Sequence, residues 1–211
     1  MHASQIRIVD HPLLRHKLGL LRSQRTQTAD FRRLLREAGM LLAYEVTRDL
    51  PLQPRPIVTP LEPMEADRIA PDGLCFVSIL RAGNGLLEGM IDILPFAPVG
   101  HFGVYRDHET HQAVEYFYQV PGDLASRRVI VVDPMLATGN SAVATLDRLK
   151  ADGARSLTLV CLVAAPEGVA AIASAHPDVE IIAAALDRGL DENAYIVPGL
   201  GDAGDRLFGT G

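Results

Sequence analysis

The chain has 211 residues, a formal net charge of −6, and 48% hydrophobic residues. This length and composition predict one globular domain over residues 1–211 and exclude a disordered chain. The negative charge argues against nucleic acid as the main partner, because a phosphate backbone requires a basic surface. The sequence has neither a secretory signal nor an apolar run of membrane-spanning length. We therefore expect a cytoplasmic protein without a membrane partner.

The first half of the chain predicts a long helix and a buried strand. Apolar residues recur at three- and four-residue steps over residues 28–50, which indicates an amphipathic helix. Four prolines within residues 51–60 predict an extended connection. A short apolar run at 76–80 predicts a buried strand, followed by a tight loop at 81–85 and a helix over 86–94.

The next elements are two strands around a polar segment. Strands are predicted at 99–105 and 114–120, so residues 99–120 should form a protruding hairpin arm. The polar tip contains His108 and His111, whose spacing is too short for the zinc-binding H-E-x-x-H motif. We expect an exposed loop there and not a metal site.

The second half predicts the rest of a sheet. A central strand at 129–133 precedes a helix over 141–150, and further buried strands are predicted at 157–164 and 179–185. The tail from residue 187 to 211 is rich in Gly and Asp and has little periodicity. Alternating strands and helices predict an α/β fold with a mainly parallel central sheet flanked by helices.

The segment from Val129 to Ser141 is the most informative part of the sequence. An apolar strand ends at the carboxylate Asp133, and a loop of small residues, Ala137–Ser141, then enters a helix. Ligands of open α/β sheets bind at the carboxyl ends of strands, and helix N-termini suit phosphate. An acid beside such a loop can hold a sugar hydroxyl or a hydrated metal. The pattern predicts a phosphorylated sugar as ligand, against the alternative of an ordinary turn without one.

Two arginines and the tail complete the candidate site. Arg81 follows the buried strand at 76–80, so it should lie at the same sheet edge, where a guanidinium can clasp diphosphate oxygens. Arg106 begins the polar part of the hairpin arm and can close over an anion. For both, the alternative is a solvated surface charge. The run Tyr195–Arg206 is too rich in Gly to build a helix or a central strand. It can present backbone N–H and C=O groups to a planar base.

Together these motifs resemble the uracil phosphoribosyltransferases, a branch of the type I phosphoribosyltransferases. The resemblance is carried by Ile79–Gly83, Tyr105–Arg106, Asp133–Gly139 and Pro198–Asp205, which occur in the family's order. It implies the type I phosphoribosyltransferase fold, with residues 76–165 as the core that binds 5-phosphoribosyl-1-diphosphate (PRPP). It also implies that the hairpin arm is part of this fold and that residues 187–211 form a C-terminal uracil-binding segment.

The resemblance further implies a reaction and its partners. The enzyme would transfer the phosphoribosyl group of PRPP to N1 of uracil, giving UMP and diphosphate. Mg²⁺ would be the cofactor, held mainly by PRPP and water and not directly by protein ligands. Members of the family form homodimers or higher homo-oligomers, and some respond to GTP as an effector.

Site residues follow from the same resemblance. The residues expected to act in catalysis are Asp133, Arg81 and Arg106. The residues expected to bind PRPP are Arg81, Arg106, Asp133, Pro134, Met135, Leu136, Ala137, Thr138, Gly139, Asn140, Ser141 and Asp202. The residues expected to bind uracil are Ile196, Gly201, Asp202 and Ala203.

Three positions depart from the family pattern. Asn140 stands where the family usually has Gly, Asn84 where an apolar residue is more usual, and Ala194 where Gly is common. Asn tolerates left-handed backbone better than most residues, so we expect Asn140 to preserve the loop. Three alternative functions stay open: a phosphoribosyltransferase for another base, a nucleotide-sensing RNA-binding regulator, and a catalytically silent ligand-binding relative.

Overall fold

The computed structural model describes residues 6–70, 73–106 and 113–210, together with the side chains in these ranges except those of Arg106 and Ala113. The predicted hairpin tip with His108 and His111 lies outside the described residues. Among the residues that are described, no helix is both long and apolar enough to cross a bilayer.

The described residues form strands and helices in the following order. The strands are β1 (Ile6–Ile8), β2 (Leu52–Val58), β3 (Pro63–Ile69), β4 (Leu74–Leu80), β5 (Val99–Arg106), β6 (Ala113–Gln119), β7 (Arg128–Val132), β8 (Met135–Leu136), β9 (Ser156–Ala164), β10 (Glu180–Leu186), β11 (Gly189–Leu190) and β12 (Ile196–Val197). The α-helices are α1 (Pro12–Arg22), α2 (Thr28–Val46), α3 (Gly83–Ile93), α4 (Asn140–Ala151), α5 (Pro166–Ala175) and α6 (Ala203–Phe208). A short 3₁₀ turn spans Leu124–Ser126.

The central sheet is mainly parallel, as predicted. Its strand order is β1-β10-β9-β7-β4-β5-β6, and β8 pairs with the end of β9. Every pairing in this sheet is parallel except that of β5 with β6, which is antiparallel. The neighbouring strands β4 and β7 therefore end at the same edge of the sheet, and that edge carries Arg81 and Asp133.

Two hydrophobic cores lie on opposite faces of the sheet. Ile130 and Val132 of β7 pack into the core covered by α1, α2, α3 and α6, whereas Val129 and Val131 pack into the core beneath α4 and α5. This alternation follows from the two-residue period of a strand. Both faces are apolar because helices cover both, so the strands appear in the sequence as continuous apolar runs.

Four sequence predictions about local structure need correction. The proline-rich connection is a two-stranded antiparallel hairpin, in which Leu52–Val58 pairs with Pro63–Ile69. Both of its strands are edges, so prolines can occupy positions whose N–H is not needed. The long helix ends at Val46 and not at residue 50. Neither β1 nor α1 was predicted. Part of the tail is helical, because Asp202 caps α6 by accepting a hydrogen bond from the Asp205 N–H at 2.9 Å.

The two cysteines of the chain lie inside the central sheet. Cys75 in β4 and Cys161 in β9 are buried free thiols on separate strands. Burial raises the pKa of the Cys75 thiol to about 11. A buried thiol with a raised pKa is a weak nucleophile, so Cys75 acts as a small apolar side chain in the core.

Candidate functional site

The carboxyl edge of the sheet and the C-terminal tail enclose one cavity. Its volume is about 230 Å³. The sheet edge and its loops contribute Ala82, Asp133, Met135 and Ala137. The tail contributes Ala194, Tyr195, Ile196, Gly201, Asp202, Ala203 and Gly204. The cavity thus places Asp133, predicted to face a sugar phosphate, opposite the tail predicted to read a base.

The cavity lining includes part of the predicted site and not all of it. All four residues predicted to contact uracil line it, as do the predicted PRPP residues Asp133, Met135, Ala137 and Asp202. Pro134 and Leu136 are buried next to the loop. The rest of the predicted phosphate loop, residues 138–141, is not part of the cavity lining and continues into the first turn of α4.

Asp133 has unusual electrostatics for a carboxyl group. It follows β7 directly, and its Oδ1 accepts one long hydrogen bond of 3.4 Å, from the N–H of Met135. Burial raises the pKa of Asp133 to about 7, and the Met135 hydrogen bond opposes this rise. A sugar hydroxyl or a hydrated cation at this carboxyl would favour the ionised form. The described residues contain no cluster of three or more His, Cys, Asp or Glu that could hold a metal by itself.

The phosphate loop turns at Gly139 and not at Asn140. Gly139 precedes α4 with φ of +86°, and a Cβ there would lie 2.9 Å from the Ala171 side chain. The left-handed backbone and the close approach of α5 both require glycine. Asn140 is the first residue of α4 with ordinary helical backbone, so the tolerance of Asn for a left-handed conformation is not needed at this position. The loop geometry therefore does not depend on Gly at position 140.

The loop after β4 carries Arg81 at its surface. The guanidinium carbon of Arg81 lies 5.4 Å from the ring centroid of Phe208 in α6, a cation–π distance. Behind the loop, the buried Ser78 donates a hydrogen bond of 2.9 Å to Oδ1 of Asn84. The unusual Asn84 is thus accommodated, because its carbonyl oxygen has a buried partner. Arg106 is the last residue of β5, and its side chain lies outside the described residues.

The structure also identifies residues that sequence reasoning missed. Arg206 donates to the backbone carbonyls of Leu200 at 2.8 Å and Ser23 at 2.7 Å, and it lies over the ring of Phe31. It therefore ties the tail to the loop between α1 and α2. Arg22 and Asp187 form a second tie to the tail. No local sequence signal marks any of these contacts, because the partners are far apart in the chain.

Ala194 gives a testable stability prediction. Its φ is +64°, the one positive φ among the described non-glycine residues. Left-handed backbone at an alanine costs about 1–2 kcal/mol. Glycine removes this cost, but part of the gain in stability is offset because glycine has more conformational entropy in the unfolded chain. We expect Ala194→Gly to raise the free energy of unfolding by about 0.5–1 kcal/mol. Urea unfolding followed by circular dichroism measures this.

The matched control is Ala144→Gly in α4, where the backbone is right-handed. That change should destabilise the protein by about 0.5–1 kcal/mol. If Ala194→Gly were destabilising by the same amount as Ala144→Gly, the left-handed strain at residue 194 would be disproved.

Sequence comparisons match this chain to a single family of proteins. A family model described as uracil phosphoribosyltransferase matches residues 8–210. The chain is 58% identical over 205 residues to the "Uracil phosphoribosyltransferase" of Mesorhizobium japonicum, covering 97% of this chain and 98% of the relative. It is 57% identical over 205 residues to the protein of the same name from Brucella anthropi, covering 97% and 99% of the two chains.

Solved structures agree with the fold. The AQ2163 protein from Aquifex aeolicus superposes with a TM-score of 0.93 at 35% identity, covering 97% of this chain and 98% of that one. The APRTase from Giardia lamblia complexed with 9-deazaadenine superposes with a TM-score of 0.52 at 14% identity, covering 74% and 81% of the two chains. At that identity the second likeness concerns the fold alone.

Proposed function

The chain belongs to the uracil phosphoribosyltransferase family, and we propose that the cavity at the sheet edge is where it makes UMP and diphosphate from uracil and PRPP. One observation carries the placement: a carboxylate at a strand end faces a tail segment within one cavity of about 230 Å³. In the reaction the bond from ribose C1 to diphosphate breaks, a bond from C1 to uracil N1 forms, and N1 loses its proton.

The sheet side of the cavity suits PRPP. The loop from Ala137 to Ser141 leads into the first turn of α4, whose N–H groups and helix dipole favour the 5′-phosphate. Asp133 would accept hydrogen bonds from the ribose hydroxyls, and Arg81, which follows β4 at the same sheet edge, would stabilise the leaving diphosphate. No covalent attack by the protein is needed, because positioning and charge stabilisation suffice for an oxocarbenium-like transition state.

The donor set fits a magnesium ion that travels with PRPP. Mg²⁺ usually keeps several waters and is bound by one or two carboxylates together with substrate phosphates. Asp133 is the carboxylate at the sheet edge of this cavity, and the described residues form no all-protein cage. When bound, the ion would neutralise diphosphate charge. Asp133 would hold the ribose hydroxyls or a water of the ion.

The tail side of the cavity suits uracil. Ile196, Gly201, Asp202 and Ala203 line it, and these residues can present backbone donors and acceptors to the base. Uracil displays alternating acceptors and donors along its edge. A rigid backbone can therefore read it without a dedicated polar side chain.

The proposal is tested by a base panel. The protein is incubated with PRPP, Mg²⁺ and one of uracil, cytosine, adenine or hypoxanthine, and nucleotide formation is followed by chromatography. UMP should be the main product. Preference for another base would instead support a phosphoribosyltransferase for that base. Absence of any turnover would support a catalytically silent ligand-binding protein. RNA binding that weakens steeply with salt would favour the regulator, which the net charge of −6 disfavours.

Arg106 provides a prediction about the hairpin arm. We expect Arg106→Ala to weaken the use of PRPP by about tenfold or more, because a charged donor to the diphosphate is lost. The melting temperature should change little, since a cation at the end of a strand in an arm contributes little stability. Steady-state kinetics and calorimetry measure both quantities. Unchanged kinetics, or a large loss of stability, would show that Arg106 is a solvated or structural charge.

The hairpin of β2 and β3 supports a homo-oligomer. Leu52, Val58, Leu61 and Met64 are exposed, with Leu61 95% accessible, although an isolated two-stranded hairpin is only marginally stable. Clustered exposed apolar residues mark interaction surfaces. We propose a second copy of the chain as the partner, which light scattering after gel filtration measures directly. GTP as an effector stays a prediction from the family, and a cytoplasmic location stays a prediction from the sequence.

A further inference from the structure

We propose that the ion pair between Arg22 and Asp187 is a positioning device for uracil recognition. It would act on the base-reading loop, defined here as residues 196–203, by fixing the peptide groups of Gly199. The inference rests on the proposed function of this loop. It adds two residues that lie outside the cavity lining and therefore do not contact the base themselves.

The ion pair joins three distant parts of the chain. Arg22 is the last residue of α1, and Asp187 follows β10. Nη1 of Arg22 lies 2.7 Å from Oδ2 of Asp187, and Nη2 lies 2.6 Å from Oδ1. This is a bidentate pairing, the strongest geometry for a guanidinium and a carboxylate. The cation also lies at a helix C-terminus, where the helix dipole favours positive charge.

Both peptide groups of Gly199 are tied to this pair. The Gly199 N–H donates to Oδ2 of Asp187 at 2.8 Å, and Nη1 of Arg22 donates to the Gly199 carbonyl at 2.6 Å. Hydrogen bonds to charged groups are stronger than those between neutral groups. The pair therefore fixes the direction of the chain at Gly199, which lies between the base-contacting residues Ile196 and Gly201.

Residue 199 cannot be anchored by a side chain of its own. Its φ is +59°, and a Cβ would lie 2.0 Å from the carbonyl oxygen of Ile196. Glycine is required, so rigidity has to come from neighbouring groups. The Asp187 side chain is 5% exposed and that of Arg22 23% exposed, so solvent screens the pair only weakly. The base-reading loop needs this rigidity, because a shift of its backbone would displace all of its hydrogen-bond donors and acceptors from the base together.

The test compares Asp187→Asn with a control ion pair. Asp187→Asn keeps the shape but removes the charge. Asp92→Asn is the matched control, because Asp92 forms a bidentate pair with Arg36 between α2 and α3, away from the cavity. We expect Asp187→Asn to raise KM for uracil about tenfold and to leave KM for PRPP within about twofold, a tenfold change being about 1.4 kcal/mol. Asp92→Asn should change neither constant.

Two further measurements separate positioning from general instability. Amide hydrogen exchange of residues 195–203 should accelerate at least about fivefold in Asp187→Asn, while exchange in β7 stays unchanged. Arg22→Gln should raise KM for uracil. Arg22→Lys keeps the charge but cannot form the same bidentate pair, so its KM for uracil should lie between those of the parent and of Arg22→Gln. These lysine and glutamine variants keep the test available if Asp187→Asn folds poorly.

The outcomes separate this inference from the proposed function. A parent protein without uracil turnover would refute the proposed function. Unchanged exchange of residues 195–203 in Asp187→Asn and Arg22→Gln would refute the positioning role, whatever the activity of the parent. Parallel increases in KM for uracil and PRPP would also refute it, because they indicate a general structural defect.

Discussion

Asp133→Asn should lower kcat/KM by roughly 30- to 1000-fold, corresponding to about 2–4 kcal/mol of lost transition-state stabilisation. Asp133 is the carboxylate that the sheet edge contributes to the cavity. An amide cannot supply the negative charge that ribose hydroxyls or a hydrated cation would bind. Steady-state kinetics with uracil and PRPP measure the loss, and near-parental kcat/KM would refute the assigned role.

The same substitution should stabilise the protein at alkaline pH. The pKa of Asp133 is raised from 3.8 to about 7 by burial, so the folded state holds a proton that the unfolded state releases between these values. The stability from the protonated carboxyl is complete below about pH 4 and is lost as the pH rises through about 7. Asp133→Asn removes this loss. Its melting temperature should exceed that of the parent by about 3 °C or more at pH 8.

The pH dependence is the control for this stability effect. At about pH 3, below both pKa values, the carboxyl is largely protonated in both states, so parent and variant should melt at nearly the same temperature. A gain that is equal at about pH 3 and pH 8 would show that burial of the Asp133 charge is not its cause. The combination of lost activity and gained stability is expected where a site carries an unfavourably buried charge.

The second large effect concerns base choice. We expect kcat/KM for uracil to exceed that for cytosine by up to about 10⁴-fold. Cytosine replaces the acceptor at C4 with an amino donor and has no donor at N3, so two contacts of a uracil site would be mismatched. Buried groups left without partners make this penalty large. Comparable kcat/KM for the two bases would refute the assignment of residues 196–203 to uracil.

Ala203→Pro tests whether the backbone does the reading. Ala203 is the first residue of α6, a position that accepts proline, and the preceding Asp202 already has extended backbone with ψ of 114°. The fold should therefore tolerate the change while one N–H is removed, and uracil use should fall about tenfold or more. Tyr195→Ala is the control, because Tyr195 is 49% exposed and its side chain should not set selectivity if the backbone recognises the base. Equal loss of selectivity in both variants would contradict backbone reading.

Local sequence patterns predicted the sheet and one side of the site. The apolar run before Asp133 is buried on both faces of the sheet, so its composition alone indicates a central strand. Parallel strands then bring their carboxyl ends together, and this rule predicts that Arg81 and Asp133 lie at one edge of the sheet. The chain similarly indicated a short loop before α4, although it did not show that Gly139, and not Asn140, carries the left-handed turn.

The sequence by itself determined the α/β class and the positions of the central strands along the chain, and it predicted a phosphate loop before α4, because these depend on residues close together in the chain. Only the tertiary structure decided how the tail is held. Arg22 and Asp187 lie 165 residues apart, and the hydrogen bonds that they give Gly199 arise only when α1, β10 and the tail converge. The α6 helix likewise depends on the Asp202 cap and on packing of Ala203 and Leu207 in the core, since six residues are too few for a stable isolated helix.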